Sequence, residues 1–192
     1  LILTKPLEIR WHGRGGQGVV TASRILAEAL LREGKYFQAF PEYGPERMGA
    51  PVKAYNRVSS TPINIHSGVT NPEIVVVVDP TLFGAVNVLE GLGNDGIIVA
   101  NFPEPPAKLR ELLGFTTGTV VTVDASSISR EILGRVVVNT PMLGTLCRVF
   151  QEVRIDTVLE AVRSQFGEKL RPEVIEKNLT CLKRAHEEAQ VG

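Results

Sequence analysis

Apolar positions along the chain repeat in two rhythms, one of strands and one of helices. Ile74 to Val78, Gly96 to Ala100 and Thr119 to Val123 are short, largely β-branched runs, the pattern of strands buried on both faces of a parallel sheet. Leu7 to Trp11 is a further short apolar run. It opens onto glycines and then a helical pattern carrying Val20, Ile25, Leu26, Ala29 and Leu30, which Gly34 ends. Lys35 to Phe40 reads as a second strand closed by Pro41, so residues 7–40 are expected to form a βαβ unit with a right-handed crossover. Val52 to Val58 alternates strictly, which predicts a half-buried strand with Lys53, Tyr55 and Arg57 on a solvated face. A turn at residues 59–62 would let Ile63 to Ser67 pair back as a hairpin. Asp79-Pro80-Thr81 predicts a helix through Leu89, with Asp79 as its cap and Pro80 at its first position. Pro106 to Leu113 reads as a short helix.

Val136 to Val138 leads into a helix near Met142 to Phe150, entered by Thr140 as cap and Pro141 in the first turn. Two amphipathic helices follow, one with a stripe of Val158, Leu159, Val162 and Phe166. The other carries Ile175, Leu179, Leu182, His186 and Ala189, and His186 reads as structural there. The expected fold is α/β: a Rossmann-like open, mostly parallel sheet with helices on both faces and a helical C-terminus. No composition break or internal repeat divides it, so residues 1–192 read as one domain.

Charge removes some function classes. Lys plus Arg and Asp plus Glu number 21 each, so the net charge is zero. That gives no electrostatic case for nucleic acid or an anionic membrane surface. The longest apolar runs are far too short to span a bilayer. Cys147 and Cys181 are widely separated and sit among apolar neighbours, which points to free thiols and a cytoplasmic protein.

The candidate chemistry concentrates at Gly13-Arg14-Gly15-Gly16-Gln17-Gly18. Glycines 13, 15 and 18 satisfy the G-x-G-x-x-G spacing between a strand and a helix. A helix starting there presents unpaired N–H groups and the positive end of its dipole, and Arg14 adds a full charge. A phosphate or carboxylate is the natural guest, although close helix packing alone also explains such glycines. Pro41 to Pro51 is irregular yet carries Glu42, Tyr43, Glu46, Arg47 and Met48. Two readings stay open for it, a rigid loop or a functional lip at a strand's carboxyl end. Asn139 and Thr140 form a second polar helix start, able to cap or to face a ligand. A dinucleotide reading asks for an acid at the end of the second strand. Glu42 is the one nearby candidate, and no hydride-transfer set accompanies it.

Taken together and in order, Gly13 to Gly18, Phe40 to Pro51 and Asn139 to Gly144 resemble the gamma subunit of 2-oxoacid:ferredoxin oxidoreductases, most closely the pyruvate type. The resemblance spans essentially the whole chain. It implies an enzyme that decarboxylates a 2-oxoacid on thiamine diphosphate, passes electrons through iron–sulfur clusters to ferredoxin and delivers the acyl group to coenzyme A. Thiamine diphosphate, Mg and [4Fe–4S] clusters are then expected on partner subunits of alpha, beta and delta type. This agrees with a chain whose two cysteines fall short of the four thiolates a cluster needs. The resemblance also implies that this chain helps bind coenzyme A. Gly13, Arg14, Gly15, Gly16, Gln17 and Gly18 would take the phosphates, and Tyr43, Glu46, Arg47 and Met48 would guide the pantetheine arm. Asn139 and Thr140 would lie nearby, and no proton-transfer residue is expected from this chain. A standalone NAD-binding oxidoreductase and a non-catalytic docking scaffold are the alternatives.

Overall fold

A computed structural model describes residues 5–42, 49–167 and 169–192. Its centre is a seven-stranded sheet of order β2-β3-β1-β4-β5-β6-β7. The strands are β1 (Leu7–Arg14), β2 (Tyr36–Glu42), β3 (Pro51–Ser59), β4 (Ile74–Val77), β5 (Ile97–Asn101), β6 (Thr119–Val123) and β7 (Gln190–Val191). Strands β1, β4, β5 and β6 run parallel, while β3 and β7 run antiparallel to their neighbours. The fold is therefore the open, mostly parallel α/β sheet that the β-branched runs predict.

Among the described residues six helices pack on it: α1 (Val19–Arg32), α2 (Pro106–Leu113), α3 (Ala125–Leu133), α4 (Asn139–Leu146), α5 (Ile155–Phe166) and α6 (Pro172–Glu188). Alternation along β4 divides the core in two. Ile74 and Val76 join the larger cluster under α1 and α3 to α6. Val75 and Val77 join a smaller one completed by Leu82, Val88, Leu109 of α2 and Phe115. Helix α4 is buried on every side, its Thr140 and Thr145 hydroxyls donating to Asn178 Oδ1 and to the Pro141 carbonyl. Gly144 lets α6 approach it: a Cβ there would lie 2.0 Å from the Leu182 carbonyl oxygen. His186 is structural, as expected, with Nδ1–H donating to the Gly144 carbonyl at 3.1 Å.

Several local expectations need correction. Strand β3 lies between β1 and β2, so α1 carries the chain past an intervening strand instead of into an adjacent parallel one. The 63–67 segment forms no strand, and its carbonyls instead accept from Arg57. The helix after Asp79 shrinks to a 3-10 turn, Pro80–Gly84, although Asp79 does cap it by accepting from the Thr81 N–H at 2.9 Å. Helix α4 starts at Asn139 with Val138 as its cap, so Thr140 is not the cap.

The face of β3 that alternation assigns to solvent is closed. Tyr55 and Arg57 are buried there beside Glu8, Arg10 and His12 of β1. Arg57 donates to the Glu8 carboxylate at 2.7 Å and to the Gln38, Ser67 and Gly68 oxygens. Arg10 donates to His12 Nε2 at 2.9 Å and to the Val88 and Glu90 carbonyls. A two-residue period locates the two faces of a strand, but it cannot show that loops 60–72 and 85–91 cover the polar one.

Burial, together with the charges of Arg10 and Lys53, holds the His12 imidazole neutral and lowers its pKa to about 3. A histidine depressed in the folded state stabilises it fully above the unfolded pKa, and that contribution is lost as pH falls towards 3. Unfolding free energy of the chain should therefore drop below about pH 6.5, with His12 adding up to about 1.4 kcal/mol per pH unit. His12→Gln, which keeps an acceptor for Arg10, should flatten that slope in denaturant titrations. Identical slopes for the two proteins would contradict the assignment.

Candidate functional site

The parallel strands end at one edge of the sheet, and the order changes direction at β1 and β4. Open α/β sheets bind ligands in the crevice at such a switch point. Here a cavity of about 600 Å³ lies at that edge. It is walled by Gly16 to Gly18, by Val78 to Pro80 after β4, by Asn101 ending β5, by Ser126, and by Arg135 to Asn139 leading into α4. A second hollow of about 340 Å³ lies across the glycine turn, against Arg14, Gly15, Val52 and the first residues of α1.

The glycines divide their tasks differently from the fingerprint's usual reading. Gly13 belongs to β1 and serves close packing: a Cβ would lie 2.3 Å from Val19 Cγ2 and 2.6 Å from Val78 Cγ2. Gly16 and Gly18 make the turn itself, with φ of +92° and +75°, where an L side chain is strained. Gly18 is the N-cap of α1 and packs against the Asn139 side chain. The first helical bond is Ala22 N–H to the Gly18 carbonyl, so the N–H groups of Val19, Val20 and Thr21 have no helical acceptor. Among the described residues no side chain caps α1, and no acid occupies its first turn.

Helix α4 starts the same way, uncapped and without an acid. Its first bond runs from Met142 N–H to the Val138 carbonyl, and Pro141 falls where its missing N–H costs nothing. Asn139 lines the crevice, is 7% exposed, and its Oδ1 finds no hydrogen-bond partner among the described residues. An orphan of this kind calls for an explanation, and a bound donor is one. Thr140 turns away: it is fully buried and donates to Asn178 Oδ1 of α6 at 3.1 Å.

Arg14 reaches along the strand ends and donates to Thr81 Oγ1 at 3.0 and 2.9 Å and to the Gly49 carbonyl at 3.1 Å. Its Nε also lies 3.4 Å from Asp79 Oδ2. Burial alone would raise the Asp79 pKa, but hydrogen bonds from Thr81 and Gln17 and the charge of Arg14 outweigh it and hold the carboxyl below its usual range. Asn101 donates to the Val78 carbonyl at 3.0 Å and to Ser126 Oγ at 2.9 Å, tying β5 to β4 and α3.

The structure thus gathers Gly16, Gln17, Gly18 and Asn139 on one crevice, with Arg14 and Gly15 on the adjoining hollow and Thr140 outside both. Tyr43, Glu46, Arg47 and Met48 lie outside the described residues. Three crevice residues escape the sequence reading. Asn101 is a polar residue closing a buried strand, as Asp79 follows another, and that repeated position is a readable signal. Ser126 and Arg135 carry none. Burial pushes the Cys147 thiol up to about 12 and the Cys181 thiol up to about 11. No group of three His, Cys, Asp or Glu able to hold a metal occurs among the described residues. No helix among them is long and apolar enough to cross a membrane.

The fold and crevice define a doubly wound α/β domain with an amide-lined, cation-flanked cleft. The family described as pyruvate ferredoxin/flavodoxin oxidoreductase matches residues 8–188, and the chain belongs to that family, as a gamma-type subunit. It is 44% identical over 189 residues to pyruvate synthase subunit PorC of Thermotoga maritima, covering 98% of this chain and 97% of that protein. It is 42% identical over 185 residues to the common gamma subunit of the pyruvate/ketoisovalerate oxidoreductases of Pyrococcus furiosus, covering 96% and 98%. The crystal structure of pyruvate oxidoreductase subunit PORC from Thermotoga maritima superposes with a TM-score of 0.86 at 42% identity, over 98% of this chain and 99% of that one. The same fold recurs in a Magnetococcus marinus 2-oxoglutarate:ferredoxin oxidoreductase solved with 2-oxoglutarate, coenzyme A and succinyl-CoA. There the TM-score is 0.76 at 20% identity, over 96% of this chain and 31% of that one. The chain is accordingly a subunit of a pyruvate oxidoreductase. The nicotinamide alternative loses its footing: Glu42 is bound to the Tyr55 hydroxyl and Lys53, one strand further from the glycine turn than the fingerprint requires.

Gly18→Ala and Gly16→Ala separate backbone strain from crowding. Both enter the left-handed region, at a cost of about 1 kcal/mol. A Cβ at 16 meets nothing within 4 Å, whereas one at 18 lies 2.7 Å from Asn139 Nδ2. Gly18→Ala should be the more destabilising in urea titrations, by about 1 kcal/mol or more. Equal losses would mean that Asn139 does not brace the turn.

Proposed function

We propose that this chain provides the coenzyme A seat of a pyruvate:ferredoxin oxidoreductase. The observation that carries this is the crevice where two helix starts without a side-chain cap among the described residues converge beside the buried Asn139 Oδ1, which has no partner among them. The donor set fits the group. The amides of Gly16 and Gly18 and the start of α1, with Arg14 alongside, suit phosphates. The crevice beyond them offers Arg135 as a second cation and is lined by Asn139, whose buried Oδ1 has no hydrogen-bond partner among the described residues. The coenzyme A described in the Magnetococcus marinus enzyme, on the same fold, supports the reading.

When bound, coenzyme A supplies the thiol that accepts the acyl group. This chain's own residues bind and orient it, an entropic contribution to rate with no proton transfer assigned to them. Thiamine diphosphate, Mg and [4Fe–4S] clusters belong to alpha, beta and delta-type partner subunits, with ferredoxin as electron acceptor. The assembly is cytoplasmic, and nucleic acid and membrane play no part.

Calorimetric titration of the assembled enzyme with coenzyme A tests the proposal. Arg14→Ala should raise Kd about tenfold, the equivalent of 1.4 kcal/mol. Asn139→Ala should raise it roughly fivefold, the worth of one hydrogen bond. NAD should give no heat of binding. Wild-type affinity for coenzyme A in both variants would remove the seat from this chain.

A further inference from the structure

Resting on that reading of the crevice, we infer that Gln17 is a positioning residue: its side chain, braced by Asp79, sets the direction of the glycine-turn amides. Gln17 lies between Gly16 and Gly18, both at positive φ, so the two most permissive residues of the turn flank it. Backbone preference does little to fix the peptides there. Two main-chain bonds restrain the turn, Gly15 N–H to the Ala50 carbonyl at 2.9 Å and Gln17 N–H to the Arg14 carbonyl at 3.1 Å. The Gln17 side chain supplies the link across the strand ends. Its Oε1 accepts from the Arg14 N–H at 2.7 Å, and its Nε2 donates to Asp79 Oδ2 at 2.6 Å.

The link closes into a ring. Thr81 donates its hydroxyl to Asp79 Oδ1 at 2.7 Å, and the Arg14 guanidinium donates to that same hydroxyl. Donor and acceptor directions are forced. The Arg14 N–H can only donate, so Gln17 must face it with oxygen and turn its NH₂ to the carboxylate. One turn is thereby pinned to a residue 62 positions away in sequence, just past the end of the next parallel strand. Gln17 and Asp79 both line the crevice, so the ring is part of its wall. Coenzyme A phosphates would touch the amides, while Gln17 holds those amides in place.

The swap of the two side-chain chemistries tests this in the assembled enzyme. Gln17→Glu faces one carboxylate with another, and Asp79→Asn leaves a single oxygen that can accept from Gln17 or from Thr81 but not from both, with an NH₂ facing the other donor. The double variant restores a donor–acceptor pair, with the amide now at position 79 donating to the carboxylate now at position 17, and the net charge is unchanged. Each single variant should raise the calorimetric Kd for coenzyme A at least tenfold and raise its KM, with kcat within about twofold. The double variant should return both to within about threefold of wild type. Thermal melting of each preparation shows whether fold is lost, and if one single variant does not assemble, the other and the double carry the test. Singles that melt lower yet bind coenzyme A normally, or a double no better than the singles, would overturn the inference. Asn139→Ala in parallel keeps the two ideas apart. Weakened binding there with normal binding in Gln17→Glu ends the positioning role and leaves the seat. Normal binding in both ends the two together.

Discussion

The absence of a side chain at Gly13 determines where the first helix can begin. Because a methyl group there would collide with Val19 and Val78, only glycine lets α1 start directly over the gap between β1 and β4. A helix displaced by a methyl group would lift its first amides away from the strand ends and open the contact between Gly18 and Asn139. Interiors this closely packed transmit such a shift instead of absorbing it. The crevice, the glycine turn and the start of α4 are therefore consequences of one close approach.

The sheet supports that edge unevenly. Its parallel half is conventionally apolar on both faces. The half built from β2, β3 and the start of β1 buries charge, with Arg57 satisfied by Glu8, Gln38 and loop carbonyls, and Arg10 by His12 and two carbonyls. Breaking such a pair by removing one partner costs about 3–5 kcal/mol, because the other charge stays buried. This polar layer lies on the sheet face opposite α1. It fixes β3, and β3 fixes Ala50, which receives the Gly15 N–H. Charge buried on one face thus helps to place neutral amides at the strand ends.

How much of this the sequence discloses depends on the range of the interaction. The buried strands, the turn glycines, the Asp79 cap and the two C-terminal amphipathic stripes depend on local period and spacing, and the structure bears them out. The insertion of β3 between β1 and β2 does not, since nothing in residues 7–40 records which strand will pair with β1. Nor does any pattern mark Arg57 as buried, because Glu8, Gln38 and the carbonyls of Ser67 and Gly68 meet it only through the fold. At the site, Gly13 to Gly18 and Asn139 are legible as helix starts. Arg135 is not, because only the fold brings its loop to the glycine turn. Thr140 has the sequence context of a cap and is instead a buried tie to Asn178, a contact made 38 residues away.

In the proposed function, the amides opening α1 and the polar start of α4 anchor an anionic carrier. Amide hydrogen exchange of the assembled enzyme, with and without saturating coenzyme A, reads those groups directly. Exchange should slow at Gly16, at Gly18 to Thr21 and at Asn139 and Thr140, while α2 on the other face keeps its rates. Unchanged exchange at the glycine turn, with slowing confined to partner subunits, would contradict the account.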